Sequence, residues 1–386
     1  MRVLVLTGIF PPDLGGPATQ LGYLIPDLMK MGFKVSVLTF GEKLPEDNYI
    51  FPVKKISKKI SQPFRNIFYI LTALKMARNF QIVYAWDLYT PGFSGFLIRR
   101  LFPGKKFIVR FAGDSAWEKA RGEGKISENL TQFIEKQYGF SIELRKRLRK
   151  KIMTSADKVI AVSYFMEGIA EKIGVRKDRL KMIYNSVDFL FQKKAEESAG
   201  RLHPDFSDKN FNLITSSRLV PWKGQQLLIE IMPELMNKYQ NINLWIAGDG
   251  PEEKNIKSQI ANLKLSENVF LLGKLSHNEL FRHLRKADIF ILNTDYEGLS
   301  HQILEAIHLG VPVITTNVCS NSELIENEKS GFLVEYNNKE ELKKAISCLI
   351  EKPEFKELFV KNAKNRLADF QWERLVEETA TLLKSL

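Results

Sequence analysis

A chain of 386 residues with 44% hydrophobic and 26% charged side chains is too long for one ordinary core and reads as a soluble globular protein of two domains. Its net charge of +12 is one-sided: residues 1–200 hold 34 Lys/Arg against 19 Asp/Glu, and residues 201–386 hold 23 against 26. No apolar run reaches the roughly 18–20 residues of a membrane-spanning helix, Ile67–Leu74 being the best candidate. The two cysteines, Cys319 and Cys348, lie in apolar or helical stretches and fit buried thiols in a reducing cytoplasm better than a disulfide framework or a metal site.

The first residues, Met1 to Thr7, lack the serial charged leader, apolar core and cleavage site of a signal peptide, so Val3–Thr7 reads as a strand. Further strands are expected at Val35–Phe40, Ile82–Ala85, Phe107–Phe111, Val159–Val162 and Lys181–Tyr184, with helices such as Leu21–Met31 and Tyr164–Ile173 between them. A polar, weakly periodic stretch near residues 189–210 reads as a linker. Strands then resume at Asn212–Ser216, Asn243–Ala247, Val269–Leu272, Ile289–Leu292, Val313–Thr315 and Phe332–Val334. Their unbroken Val/Ile/Leu/Phe character predicts strands covered on both faces, and the strand–helix alternation predicts doubly wound α/β architecture. The expected division is a Rossmann-like domain at 1–198, a second at 199–370, and a C-terminal helix at 371–386 that joins the first.

The basic excess collects at Lys54–Lys59, Arg99–Arg110 and Arg145–Lys151. Such a surface suits a polyanion, and no nucleic-acid module accompanies it, so nucleic acid is not an expected partner. An anionic membrane face and a merely solvated helix face both remain open. The amphipathic segment Pro63–Ile70 favours docking on anionic lipid, released by salt.

Chemistry concentrates in the second half. After the strand Asn212–Ser216, Arg218 and Lys223 lie five residues apart on a loop. Arg offers bidentate contact and Lys a movable point charge, a pair that a diphosphate needs; chance surface charge is the bland alternative. After Ile289–Leu292 come Glu297, then Gly298 to Ser300 as the expected first turn of a helix, with Glu305 about two turns down. Open amides at such a helix end face an anion. The bland alternative is a capping acid followed by a surface-facing Glu. In the first half, Gly15-Gly16 ahead of a helix would let backbone approach a phosphate, or would form a plain loop. Asp114, after the strand Phe107–Phe111, would contact a sugar or acceptor hydroxyl, or equally cap the next helix. The five histidines form no cluster, and Asp295-Tyr-Glu297 only imitates a metal-binding pair of acids.

Three segments occur in order: Ser217-Arg218-Leu-Val-Pro-Trp-Lys223-Gly224, Ala247-Gly-Asp-Gly250-Pro, and Glu297-Gly-Leu-Ser-His-Gln-Ile-Leu-Glu305-Ala306. With Gly310-Val-Pro-Val-Ile-Thr-Thr, Glu323-Leu-Ile-Glu and Gly331-Phe-Leu-Val, the chain resembles the retaining glycosyltransferases of family 4. The resemblance implies the GT-B fold, two Rossmann-like domains facing a central cleft. It implies that Arg218 and Lys223 bind the donor pyrophosphate, that Glu305 holds the ribose, and that Glu297 lies close to the transferred sugar. It also implies that amides of Gly298, Leu299 and Ser300 meet the sugar or its phosphate, that Gly273, Lys274 and Leu275 border the base, and that Gly15 and Gly16 form the family's Gly-Gly loop. Asn185-Ser-Val-Asp188 resembles the family's Asn-Gly-Val-Asp turn, with Ser186 in place of Gly. Many members carry a His after the strand matching Phe107–Phe111, where this chain has Arg110-Phe-Ala-Gly-Asp114.

The implied activity is retaining hexosyl transfer from a nucleotide-sugar, a UDP-sugar rather than a GDP-sugar on family frequency, to a glycan or lipid-linked acceptor. Cell-surface polysaccharide or glycolipid synthesis is the implied setting, at the cytoplasmic face of a membrane or in the cytoplasm. No metal or other cofactor is expected. The rivals are a nucleotide-sugar epimerase or sugar phosphorylase of the same fold, and a non-catalytic nucleotide-binding protein.

Overall fold

The computed structural model describes residues 1–13, 15–44, 47–187, 202–207 and 209–386. They form two compact units, Met1–Ser186 with Trp372–Leu386, and Val187–Gln371. The expected boundary at 198/199, Asp188 of the Asn-Ser-Val-Asp turn and residues 189–201 of the expected linker lie outside the described residues.

Unit 1 is a parallel sheet of seven strands in the order β3-β2-β1-β4-β5-β6-β7. The strands are β1 (Arg2–Leu6), β2 (Lys34–Phe40), β3 (Val53–Ile56), β4 (Ile82–Ala85), β5 (Lys106–Phe111), β6 (Lys158–Ala161) and β7 (Leu180–Met182). All six strands expected in this half are present, within one or two residues of their expected bounds at most ends. Strand β3 was not expected, because Val-Lys-Lys-Ile reads as part of a basic cluster. It is an edge strand, where lysines are tolerated and discourage pairing with other chains.

Helices α1 (Gly16–Lys30), α2 (Gln62–Ala77), α3 (Thr90–Leu101), α4 (Ser115–Gly122), α5 (Leu130–Glu135), α6 (Phe140–Ser155) and α7 (Tyr164–Ile173) connect the strands. The chain moves one way across the sheet from β1 to β3 and the other way from β3 through β4 and β5 to β6. Right-handed crossovers therefore put α1 on one face and α2, α3 and α6 on the other. There α2 packs on α3, and α3 on α6. On the α1 face the last helix (Trp372–Lys384) joins unit 1: Trp372 Nε1 donates to Asp27 Oδ2 at 2.8 Å, and Leu375, Val376 and Leu383 share a core with Leu21, Leu24 and Ile25.

Unit 2 repeats the plan with six parallel strands in the order β10-β9-β8-β11-β12-β13. They are β8 (Phe211–Ser216), β9 (Ile242–Ala247), β10 (Val269–Gly273), β11 (Ile289–Leu292), β12 (Val313–Thr316) and β13 (Phe332–Val334). Between them run α8 (Gln225–Lys238), α9 (Glu253–Asn262), α10 (His277–Arg285), α11 (His301–Leu309) and α12 (Asn321–Leu324); α13 (Lys339–Glu351) and α14 (Pro353–Arg366) follow. The apolar residues of α8, α9 and α13 meet those of β8, β9 and β11 in one core. Strand order reverses between β1 and β4 in unit 1 and between β8 and β11 in unit 2. Connections diverge at such a point and leave a crevice at the carboxyl ends of the strands.

Candidate functional site

In unit 2 the loop leaving β8 is strapped down before it reaches its cations. Ser217 N donates to Ala247 O at 3.1 Å, Leu219 N to Asp249 O at 2.8 Å, and Glu252 N to Leu219 O at 3.0 Å. This explains Ala247-Gly-Asp-Gly250: a Cβ at Gly248 would overlap the Ser217 carbonyl, and one at Gly250 the Leu219 carbonyl. Only glycine lets the two backbones approach so closely. The loop then makes a short 3-10 turn, Pro221–Lys223, and Gly224 (φ 54°) starts α8.

Lys223 is buried, 8% exposed. Its Nζ donates to Tyr296 O at 3.1 Å and is ion-paired to Glu297. Arg218 is exposed. The two cations thus differ from the expected pair: Lys223 is held in place by burial and two acceptors, and Arg218 is the one open to solvent. The loop leaving β11 is fastened to the same turn. Asp295 N donates to Trp222 O at 2.8 Å, Asn293 Nδ2 to Gly224 O at 3.0 Å, and Thr294 Oγ1 to Trp222 O at 3.3 Å. The loops of the two switch-point strands therefore behave as one body.

Helix α11 begins at His301, not at Gly298. Ser300 is its N-cap, with Oγ accepting from Ile303 N at 3.3 Å, a role to which serine is well suited. Ser320 Oγ donates to Glu297 O at 3.2 Å, and Lys223 holds the Glu297 side chain; both keep residue 297 out of the helix. The first helical amides are accordingly those of His301 and Gln302, while Gly298, Leu299 and Ser300 lie buried in the bend before them. Glu305 stands little more than one turn down. It is 5% exposed, so the surface-facing alternative does not hold. Its Oε1 lies 3.0 Å from His277 Nε2.

His277 was not singled out in the sequence. It opens α10 behind a Ser276/Glu279 capping box, and its ring lies 4.6 Å from that of Phe281. The loop Gly273 (φ 63°), Lys274, Leu275 leads directly into it. Two expected contact regions, that loop and Glu305, are thereby brought together. Only its position just after that loop could have drawn attention to His277.

Both cysteines are free, and half-buried rather than buried. Burial of the Cys319 sulfur pushes its thiol up to about 12, so it is no nucleophile at neutral pH. Among the described residues no group of three or more His, Cys, Asp or Glu is placed to hold a metal ion.

Unit 1 arranges its switch point differently. Gly15 (φ 151°) is the N-cap of α1, Gly16 its first residue, and no acid occupies the first turn, which leaves the positive end of the helix dipole unopposed. Asp87, just past β4, accepts hydrogen bonds from Tyr89 N at 3.0 Å and from the amide of Gly8. A Cβ at Gly8 would come within 2.8 Å of Asp87 Oδ2. Burial pushes this carboxyl up to about 7, and among the described residues no Lys or Arg is paired with it. The signal for it was present in the sequence: Trp86-Asp87 follows a fully buried strand beside β1.

Asp114 is the N-cap of α4 and is 0% exposed. Oδ1 accepts from Ala116 N at 3.0 Å and Trp117 N at 3.1 Å, and Oδ2 is ion-paired to the buried Arg149 of α6. Of the two readings of Asp114, the cap is the one observed, and no carboxylate oxygen is left to face an acceptor hydroxyl in this arrangement. Arg110, also buried, donates to Asn185 Oδ1 at 2.5 Å and lies 5.0 Å over the Trp86 ring.

Residues 14–189 match the family described as Glycosyltransferase Family 4, and residues 202–366 match Glycosyl transferases group 1. An uncharacterised glycosyltransferase of Methanocaldococcus jannaschii is 26% identical over 97% of this chain and 96% of its own. A phosphatidylinositol N-acetylglucosaminyltransferase of Arabidopsis thaliana is 26% identical over 85% of this chain and 70% of its own. Among solved structures, HepE of Anabaena in complex with UDP-glucose superposes with a TM-score of 0.77 at 22% identity, over the full length of both chains. Sucrose-phosphate synthase of Thermosynechococcus elongatus reaches 0.80 at 17% identity, over 100% of this chain and 99% of its own. The two family matches together span most of the sequence, and the chain belongs to glycosyltransferase family 4, with the GT-B fold.

Proposed function

We propose that the protein is a retaining glycosyltransferase that takes a hexose from a UDP-sugar and passes it to a glycan or lipid-linked acceptor in cell-surface polysaccharide or glycolipid synthesis. One observation carries the donor half. The buried Lys223–Glu297 pair joins the loops of β8 and β11 at the switch point of unit 2, and a buried carboxylate, Glu305, follows one turn into α11. Parallel α/β sheets bind nucleotides at such points. The UDP and UDP-glucose bound by HepE support uridine as the base.

In this reading Arg218 and Lys223 offset the charge of the leaving diphosphate, which is where catalysis by fixed electrostatics acts. Glu305, oriented by His277, accepts from the ribose hydroxyls, and Glu297 lies next to the sugar. The segment Gly298–Ser300 and the helix end after it supply amides, Gly273–Leu275 border the base, and Gly15-Gly16 approach a phosphate. No divalent ion is part of this scheme. On the acceptor side Asp87 is the working carboxylate of unit 1, and Asp114 positions α4 from behind. The phosphatidylinositol acceptor named for the Arabidopsis relative supports a lipid-linked acceptor here.

The test is a thermal-shift panel of UDP-, GDP- and ADP-sugars, followed by transfer assays with the best stabiliser. UDP-sugars should stabilise most, and NMR of the product should show the donor's anomeric configuration. Inversion would overturn the retaining assignment, and stabilisation by GDP-sugars alone would overturn the base.

A further inference from the structure

The outer face of unit 1 carries a feature that sugar transfer does not use. On α2, Phe64, Ile67, Phe68 and Leu71 are 61%, 52%, 51% and 57% exposed. Their spacing of three, four and seven puts them on one ridge, opposite the line Tyr69, Ala73 and Ala77 that α2 buries. Soluble monomers rarely display such a contiguous apolar ridge without a partner for it. A second ridge, Phe140, Leu144 and Leu148, is exposed on α6, and α3 packs between the two helices.

The charge around these ridges has one sign. Between Asp47 and Asp87 the chain has seven Lys/Arg and no acidic residue. At the far end of α3, a cavity of about 530 Å³ is lined by Arg99, Arg100 and Arg179 together with Phe96 and Ser155. Arg99 is paired to Asp157 at 3.0 Å, and Arg179 donates to Thr154 O at 2.9 Å. Arg100 is exposed, and no described residue hydrogen-bonds or ion-pairs with it. One carboxylate for three guanidiniums leaves this cavity short of an anion.

We propose that the layer α2–α3–α6 docks on an anionic bilayer, the α2 ridge entering the acyl boundary and the arginine cavity taking a lipid phosphate. Apolar side chains flanked by Lys and Arg are what an interfacial helix needs. Lysine stems beside the ridge bury their methylenes and keep their charge at headgroup level. Charge alone would leave binding fully reversible by salt; the ridge adds a contribution that salt does not screen. The inference rests on the lipid-linked acceptor reading for its purpose. Its assay needs neither donor nor acceptor, so the two readings fail separately.

The experiment is sedimentation of the purified full chain with vesicles of equal parts phosphatidylcholine and phosphatidylglycerol, and with phosphatidylcholine alone, at low and high salt. The expected result is binding to the anionic vesicles only, with a fraction that survives high salt. Phe64→Ser with Phe68→Ser, both exposed, should lower partitioning about tenfold or more and abolish the salt-resistant fraction. Arg100→Glu should weaken the salt-sensitive part, and UDP-sugar stabilisation should be unchanged in both variants. Equal binding by wild type and the Phe double variant would overturn the proposal, as would equal binding to both vesicle types. A dimer in light scattering that the Phe variant abolishes, without vesicle binding, would assign the ridge to a second copy instead. Inorganic phosphate stabilising wild type but not Arg100→Glu, again without vesicle binding, would make the cavity a free-phosphate site and equally overturn it.

Discussion

Unit 1 and unit 2 solve the same topological problem with opposite charges. Each reverses strand order once, and in each a single side chain ties together the two loops that diverge there. In unit 2 that tie is Lys223 to Glu297, with Arg218 exposed on the same loop. In unit 1 it is Asp87, a carboxyl without a cation, accepting from Gly8 and Tyr89. The difference sorts the chemistry. A buried lysine with an exposed arginine suits a diphosphate, whereas a carboxyl that titrates near neutrality suits a hydroxyl that must be oriented and relieved of a proton.

The sharpest way to break this contrast is Lys223→Ala. It removes a fixed cation from the leaving diphosphate and should lower turnover about 10²–10³-fold, measured as sugar transfer, with the circular dichroism spectrum of wild type retained. A smaller effect of another kind is expected in unit 1. Arg149→Ala leaves Asp114 buried without its partner and should cost about 3–5 kcal/mol in urea unfolding. Asp114→Asn keeps an acceptor for the Ala116 and Trp117 amides and should cost less. A variant at Asp114 that lost transfer with full stability would make it a working group and not a cap.

Asp87→Asn tests the other half. The folded carboxyl keeps its proton up to about 7, whereas the unfolded one loses it near its ordinary value of about 4. Between those values the folded state binds more protons, so wild-type stability should fall as pH rises through that window. The Asn variant should lack this slope in thermal unfolding, and its transfer rate should be low and flat with pH near neutrality. The smallest expected effect is none: EDTA should leave transfer unchanged, because side-chain cations offset the diphosphate.

Much of this was legible in the sequence because the signal was strong where packing is dense. Buried strands such as Ile82–Ala85 and Ile289–Leu292 read as continuous apolar runs and were found at those bounds. The edge strand Val53–Ile56 was not, since half of it is lysine. Arg218, Lys223, Glu297 and Glu305 stood out by order and spacing, yet their states did not. Burial of Lys223, the start of α11 at His301, and the contact of His277 with Glu305 depend on hydrogen bonds between segments remote in sequence. Asp114 shows the same limit from the other side, because a strand-end carboxylate looks alike as catalyst and as cap until Arg149 is placed against it.

The most direct test of the central claim is calorimetric titration of UDP-glucose into wild type, Lys223→Ala and Glu305→Ala, each checked for folding. A donor held at the switch point of unit 2 predicts saturable binding to wild type and about tenfold or greater weakening in each variant. Binding of undiminished affinity in both variants would contradict it.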